Sequence, residues 1–525
     1  MIRRYESAVS NMIDSKRATT GSEASPSYGS GGSGLSPVCE CHLGAIRSAG
    51  HRDLRLQLAL FAFMLFWYGT ILWFSPFPAL PIEKTFNSML DHLLRGQFDV
   101  DPQIVGVEGY LRNGHVYAYW GIWCALLRLP LWIFHRMNTD VTSFSCLAAV
   151  CLAAMAKVRT VLLLRQFGAQ DQSARYATNL MLAYIVLGGS ETGYLRACIY
   201  QEVVFWGATF GAIFVYFAIK GLISQQFDSG TLNWMALCAG LALLARPSTG
   251  IGLVLAFGLL LLVLVLQPGT KVAEGHRLAI KQSSQAFFSR RIFVPLVILA
   301  VCIVAAGAVN YFRWGTATTF ADLRLWIGNK EWPDRISREA TYGLFNFARI
   351  PFGLVYYFFP VWTVKTRSGQ LLFEQTQTRL FDDVELPWSS FLLTDLLPLC
   401  FIIFLVIALW RHRTRGLPAV SQWAAIAVGL STPCILMLTA ISMTYRYRME
   451  FYPEIDFLAF LGLYVILTDE AMRARFAQIR VWMEGALIIS VAASLAALFL
   501  YWAAPFGPAR DLIHRGIVHG RPFVL

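Results

Sequence analysis

The sequence predicts an all-α polytopic membrane protein of about twelve transmembrane helices, each near the length that spans a bilayer core. Three observations carry that prediction. Hydrophobic residues fill 56% of the 525 positions and charged residues only 14%, where soluble chains spend about a quarter on charge. Mean hydropathy is +0.52. Apolar runs of about twenty residues, enough to cross roughly 30 Å of hydrocarbon, recur from Leu56 almost to the C-terminus. Runs such as Ile251–Leu266 are apolar throughout. Barrel strands would alternate with period two, so the spans are helices.

Residues 1–53 are polar, carry the run Gly29-Ser30-Gly31-Gly32-Ser33-Gly34 and lack an apolar signal core. They read as a disordered cytoplasmic tail held inside by Arg47, Arg52 and Arg55, ahead of a membrane domain over 54–525. The first span, 56–79, is closed by Pro76, Pro78 and Pro81. The next segment, 80–115, is acidic and therefore external. Within it Pro81 can open a helix and Gly96 can close it. Phe86, Met89, Leu90, Leu93 and Leu94 form one apolar face, with Glu83, Asn87 and Asp91 along its edge. That pattern predicts a flat juxtamembrane helix holding carboxylates close to the bilayer.

Further spans are expected at 116–135, 144–164, 177–189, 199–223, 232–246, 249–267, 292–312, 391–410, 419–442, 453–468 and 482–503. The net charge of +12 sits in short clusters between these runs, so it sets topology and does not indicate nucleic acid. Basic loops with Lys271, Arg277, Lys281, Arg290 and Arg291, with Arg411, Arg413 and Arg415, and with Arg473, Arg475 and Arg480 are cytoplasmic on this rule. The stretch 313–390 then begins and ends outside. Its apolar piece Phe345–Trp362, interrupted by Arg349, Pro351 and Pro360, is expected to be interfacial or re-entrant. Six candidate spans lie between the acidic loop and the basic loop at 268–291, whereas parity demands an odd number. Lys157, Arg159, Arg165 and Arg175 suggest that 116–164 crosses once in net terms.

Three polar concentrations could carry chemistry. The first is the acidic loop, with Glu83, Asp99, Asp101 and Glu108, followed by the aromatic run His115-Val116-Tyr117-Ala118-Tyr119-Trp120. Those rings suit an interfacial belt and also suit stacking on a sugar. The second is Tyr194, Arg196, Tyr200, Gln201 and Glu202. The third is Thr444-Tyr445-Arg446-Tyr447-Arg448-Met449-Glu450. Two arginines on an external face run against the positive-inside bias. They fit either an i, i+4 pair between Arg446 and Glu450 or a phosphate clamp built from guanidinium forks. The ten cysteines are scattered, mostly in apolar runs, and no disulfide framework is expected. Cys39-Glu40-Cys41-His42 lacks a second half-site, so no metal is expected there. Asp99-Val100-Asp101 has a spacing that can bind a divalent cation, and no other cofactor is indicated.

An external acidic loop directly after the first span resembles the GT-C superfamily of polytopic glycosyltransferases, which use polyprenyl-phosphate-linked sugars. Pro81-Ile82-Glu83-Lys84-Thr85-Phe86 is similar in place to the superfamily's acidic pair, reduced here to Glu83 beside Lys84. Tyr445-Arg446-Tyr447 with Pro453 resembles the late Arg-Tyr…Pro element of bacterial members, in which arginine faces the lipid phosphate. Leu244-Ala245-Arg246-Pro247-Ser248 and Asn310-Tyr311-Phe312-Arg313-Trp314-Gly315 also resemble stretches of bacterial relatives. The resemblance implies a membrane glycosyltransferase that moves a hexosyl or pentosyl group from a polyprenyl-phosphate donor to an envelope acceptor. Glu83, Asp99 or Asp101 would be the base, and Arg446, Arg448, Tyr445, Glu202 and Glu108 would contact substrate. It implies a place in the bacterial plasma membrane, N-terminus inside, with membrane lipid as partner. A transporter or lipid flippase is the alternative, and it would need ionisable groups at midplane such as Lys157 and Arg159.

Overall fold

The computed structural model describes residues 37–74, 80–168, 171–189, 192, 195–266, 277–319, 321–331, 333–359, 383–384, 390–411 and 420–503. The tail up to residue 36, Tyr194, Trp362, Lys271, Arg413 and Arg415 lie outside them, as do the side chains of Cys39-Glu40-Cys41-His42. The chain divides into two units at Arg55, and the architecture and site lie within the second, Leu56–Leu525.

In chain order the main helices are α1 (Pro37–Trp73), α2 (Thr85–Leu94), α3 (Thr142–Phe167), α4 (Gln172–Leu187), α5 (Ile199–Ile223) and α6 (Ser229–Ala245). There follow α7 (Pro247–Leu266), α8 (Arg277–Trp314), α9 (Leu396–Trp410), α10 (Val420–Thr439), α11 (Tyr452–Thr468) and α12 (Arg480–Ala503). Among the described residues, eight helices are long and apolar enough to cross a membrane. The chain is thus an integral membrane protein of the all-α polytopic class. The count of about twelve spans is not reached on length and composition alone, since α6 and α9 are shorter apolar helices.

The expected span 116–135 is where the structure differs. A hairpin of β1 (Tyr110–Arg112) and β2 (His115–Tyr117) leads into two short helices, Trp123–Leu126 and Leu129–Ile133. Arg128 and Pro130 explain the break: a guanidinium must find partners away from water, and proline cannot donate to a helix ladder. A helix stands at each of the other eleven expected spans. Among the described residues the five main helices α3 to α7 lie between the acidic loop and the basic stretch at 268–291. Among the described residues of the piece at 345–362 stand the helical turn Phe347–Arg349 and the nine-residue helix Ile350–Phe358, which is too short to cross.

Helix α5 is the hub of the bundle. It packs against α3, α6 and α11, and most of its 25 residues are buried. Its Gly207 lets α5 approach the chain joining α6 to α7, because a Cβ there would sit 3.0 Å from the Cβ of Arg246. Gly121 works the same way. A Cβ would overlap the carbonyl oxygens of Leu244 and Ala245, so only glycine lets the Tyr119-Trp120 segment lie against the end of α6. Lys157 Nζ on α3 is 2.9 Å from Asp456 Oδ2 on α11, while the exposed Arg159 donates from Nε to Gln57 Oε1 at 3.4 Å.

Candidate active site

Pro81–Lys84 forms one helical turn that continues into α2, and Gly96, with φ +75°, ends it in the left-handed region as expected. Phe86, Met89 and Leu90 are buried as the apolar face, but Glu83 and Asn87 on its edge are buried too. Both have partners that sequence spacing could not reveal. Asn87 Nδ2 donates to the carbonyls of Met137 at 2.6 Å and Thr139 at 2.9 Å. Glu83 Oε2 accepts from the Ile199 N–H at 2.6 Å, so the carboxylate caps the first turn of α5, where a helix favours negative charge.

Glu83 is only 4% exposed. Among the described residues its carboxylate has that single hydrogen bond and no ion pair. Burial pushes its pKa up to about 7, since desolvation penalises the charged form. The Ile199 N–H and the Arg196 guanidinium pull it down, and Asp140 and Glu202 push it up, by smaller amounts. A carboxyl poised there can take a proton near neutral pH.

The next residue of the same turn holds the candidate cation. Arg446 lies over the Tyr200 ring, 4.7 Å from its centroid, and 5.6 Å from that of Tyr447. Ile199 therefore anchors Glu83 while Tyr200 anchors Arg446. Cys198, just before them, feels Arg196, Glu83 and Arg446 together. The Tyr200 hydroxyl lies within the field of Glu108, and its ring packs on Trp120 at 5.6 Å. Tyr119 stacks beside Trp120 at 4.6 Å and lies within the fields of Glu108, Arg446, Tyr447 and Arg246. The aromatic run of the first loop thus lies beside a cluster of charged groups.

The other expected site residues fall elsewhere. Glu202, expected to contact substrate, lies in the interior. Both its oxygens are bonded to the Arg128 guanidinium, with Arg128 Nη2 at 2.8 Å from Oε2, and both residues are fully buried. Arg128 also donates to the Cys124 carbonyl at 3.2 Å. Arg448 and Tyr445 are also buried, each at most 1% exposed. Arg448 Nη2 lies 3.6 Å from Asp395 Oδ2 and donates to Thr394 Oγ1 at 3.1 Å, while its guanidinium covers Phe391 at 4.2 Å. Asp395 in turn accepts from Tyr184 and Tyr452 at 2.6 and 3.2 Å.

Asp101 is a helix cap, its Oδ1 accepting from Gln103 N at 2.9 Å. Asp99 lies between two imidazoles, its oxygens 2.7 Å from His92 Nδ1 and 2.7 Å from His115 Nδ1. Burial raises its pKa, but those two hydrogen bonds outweigh it and hold the carboxyl below the ordinary range. The two aspartates are therefore engaged separately. Among the described residues no cluster of three or more His, Cys, Asp or Glu could hold a metal ion.

The i, i+4 pair between Arg446 and Glu450 is not formed. Glu450 instead accepts from Arg246 Nε at 2.6 Å, from Ser248 Oγ at 2.7 Å and from Thr249 Oγ1. Arg246 and Arg128 are two partly or fully buried arginines that residue-by-residue reading passed over. The only available signals were the Arg246-Pro247-Ser248 resemblance and a charge in mid-run at 128.

No family model matches the chain, and no curated protein matches it by sequence. It is similar to solved structures of the oligosaccharyltransferase of Archaeoglobus fulgidus. With the form tethered to an acceptor peptide containing the NVT sequon it shares 12% identity at a TM-score of 0.45, over 88% of this chain and 58% of that one. With the form bound to an inhibitory peptide and a dolichol-phosphate it shares 13% at 0.43, over 90% and 61%. With the apo form it shares 14% at 0.43, over 90% and 61%. The chain thus spans about three fifths of the length of these structures. Identities this low and TM-scores below 0.5 leave the chemistry of the site to its own geometry.

Proposed function

We propose that the protein is a GT-C-type membrane glycosyltransferase that moves a sugar from a polyprenyl-phosphate donor to an envelope acceptor at the outer membrane face, with Glu83 as the general base. One observation carries this reading. Consecutive residues of a single helical turn, Ile199 and Tyr200, hold an unpaired carboxylate with a pKa near 7 and a guanidinium stacked on tyrosine.

That juxtaposition supplies what the reaction needs. The acceptor oxygen attacks the anomeric carbon as the carbon–oxygen bond to phosphate breaks. The acceptor's proton goes to Glu83, and the electron pair leaves with the phosphate, whose growing charge Arg446 stabilises. An inverting displacement of this kind uses one base. Asp99, already committed to two imidazoles, is the weaker acceptor of a proton. The transporter alternative would draw on Lys157, which is instead paired with Asp456.

The test incubates purified protein with radiolabelled polyprenyl-phosphate sugars and a crude envelope fraction. Wild type should transfer label, and Glu83→Gln should lose about a hundredfold to ten-thousandfold in rate. Arg446→Ala should raise the donor requirement, with lysine restoring part of it. Full transfer by Glu83→Gln would refute the assignment of the base.

A further inference from the structure

The side chain of Arg246 is only 15% exposed. Its Nε is committed to Glu450 Oε1 at 2.6 Å. Among the described residues nothing accepts from its two terminal nitrogens. The carboxylate that fixes Nε is itself fixed by Ser248 and Thr249, so the guanidinium is oriented by three hydroxyl or nitrogen donors converging on one glutamate. The edge left open is the fork that matches phosphate oxygens, and it lies in the same cluster as Arg446. The Arg246 guanidinium carbon is 5.2 Å from the Tyr447 ring centroid, and the Arg446 carbon is 5.6 Å from the same centroid. Tyr119 lies within the fields of both.

We infer that Arg246, oriented by Glu450, joins Arg446 around Tyr447 to form a two-guanidinium site for a phosphate oxyanion group. The choice of a lipid-borne phosphate as its occupant rests on the function proposed above. The anion site itself does not. Arg246 takes the role that the sequence suggested for Arg448, whose charge is spent on Asp395 inside the bundle. Glu450 is a positioning residue, because it acts through Arg246.

The experiment measures binding to protein held in nanodiscs, with three probes: tritiated polyprenyl monophosphate, the matching polyprenol and inorganic phosphate. Wild type should retain the lipid phosphate and not the alcohol. Retention of inorganic phosphate at low concentration, without retention of the lipid, would overturn the lipid-borne occupant and identify free phosphate in its place. Arg246→Ala should weaken binding about tenfold or more, and Arg246→Lys, which keeps the charge and loses the fork, should weaken it less. The lysine variant serves as the folded comparison if alanine lowers the yield. Asp101→Ala, which removes only a helix-cap bond, should bind as wild type does. Wild-type affinity in both Arg246 variants would overturn the site. If the Arg246 dependence holds while Glu83→Gln transfers sugar normally, the site stands and the proposed catalytic role fails.

Discussion

Glu83 and Glu202 are two buried glutamates at the same end of α5, and their surroundings are opposite. Glu202 lies inside the helix, fully buried, with both oxygens on one guanidinium. Glu83 approaches from the first loop, is nearly as buried, and among the described residues has one backbone N–H for company. Other ion pairs inside the bundle join Lys157 with Asp456 and Arg448 with Asp395. They tie together segments far apart in sequence. A buried charge that is satisfied has no capacity left for a substrate, whereas an unsatisfied one is a standing cost that function can explain.

The contrast can be broken most forcefully at Arg128. Arg128→Ala should leave Glu202 buried and unpaired, at a cost of about 3–5 kcal/mol. Folded yield from membranes should collapse, as read by size-exclusion profiles. A monodisperse wild-type profile would mean that the pair is not a structural lock.

The pH dependence of transfer separates the carboxylates of the loop. With Glu83 as base, the rate should fall as pH drops through about 7, because the base is then protonated. With Asp99 as base, the rate should hold well below that, since its carboxyl stays ionised into the acid range. A profile flat from neutral pH down to mildly acidic pH would shift the assignment from Glu83 to Asp99. The smallest effect is expected at Asp101. Asp101→Ala removes the cap bond to Gln103 and should cost about 1 kcal/mol, seen as a small drop in thermal midpoint with transfer retained.

Much of the fold was legible in the sequence because a bilayer imposes one simple demand, long apolar helices, and charge asymmetry orders them. The failure at 116–135 shows the limit. Hydropathy averages over a window, so Arg128 was diluted by its apolar neighbours, and the carboxylate that neutralises it lies 74 residues away. The site was legible only in part for the same reason. Glu83 and Arg446 could be named from their positions in the chain. That Glu450 serves Arg246, 204 residues distant, and that Arg448 turns inward depend on tertiary pairing that no local pattern records.

The central claim is that Glu83 is held in a costly state for chemistry while Glu202 is held in a satisfied one for structure. Glu83→Gln and Glu202→Gln should be compared at pH 8 for thermal midpoint and for transfer. The folded-state pKa of Glu83 is raised from 4.5 to about 7, so its ionised form disfavours the fold. That penalty is absent at low pH, grows through the window between those values and is complete above about 7. Glu83→Gln should therefore raise the midpoint at pH 8 while losing at least about a hundredfold in rate, and Glu202→Gln should lower the midpoint. A lowered midpoint in both variants, or normal transfer by Glu83→Gln, would contradict the account.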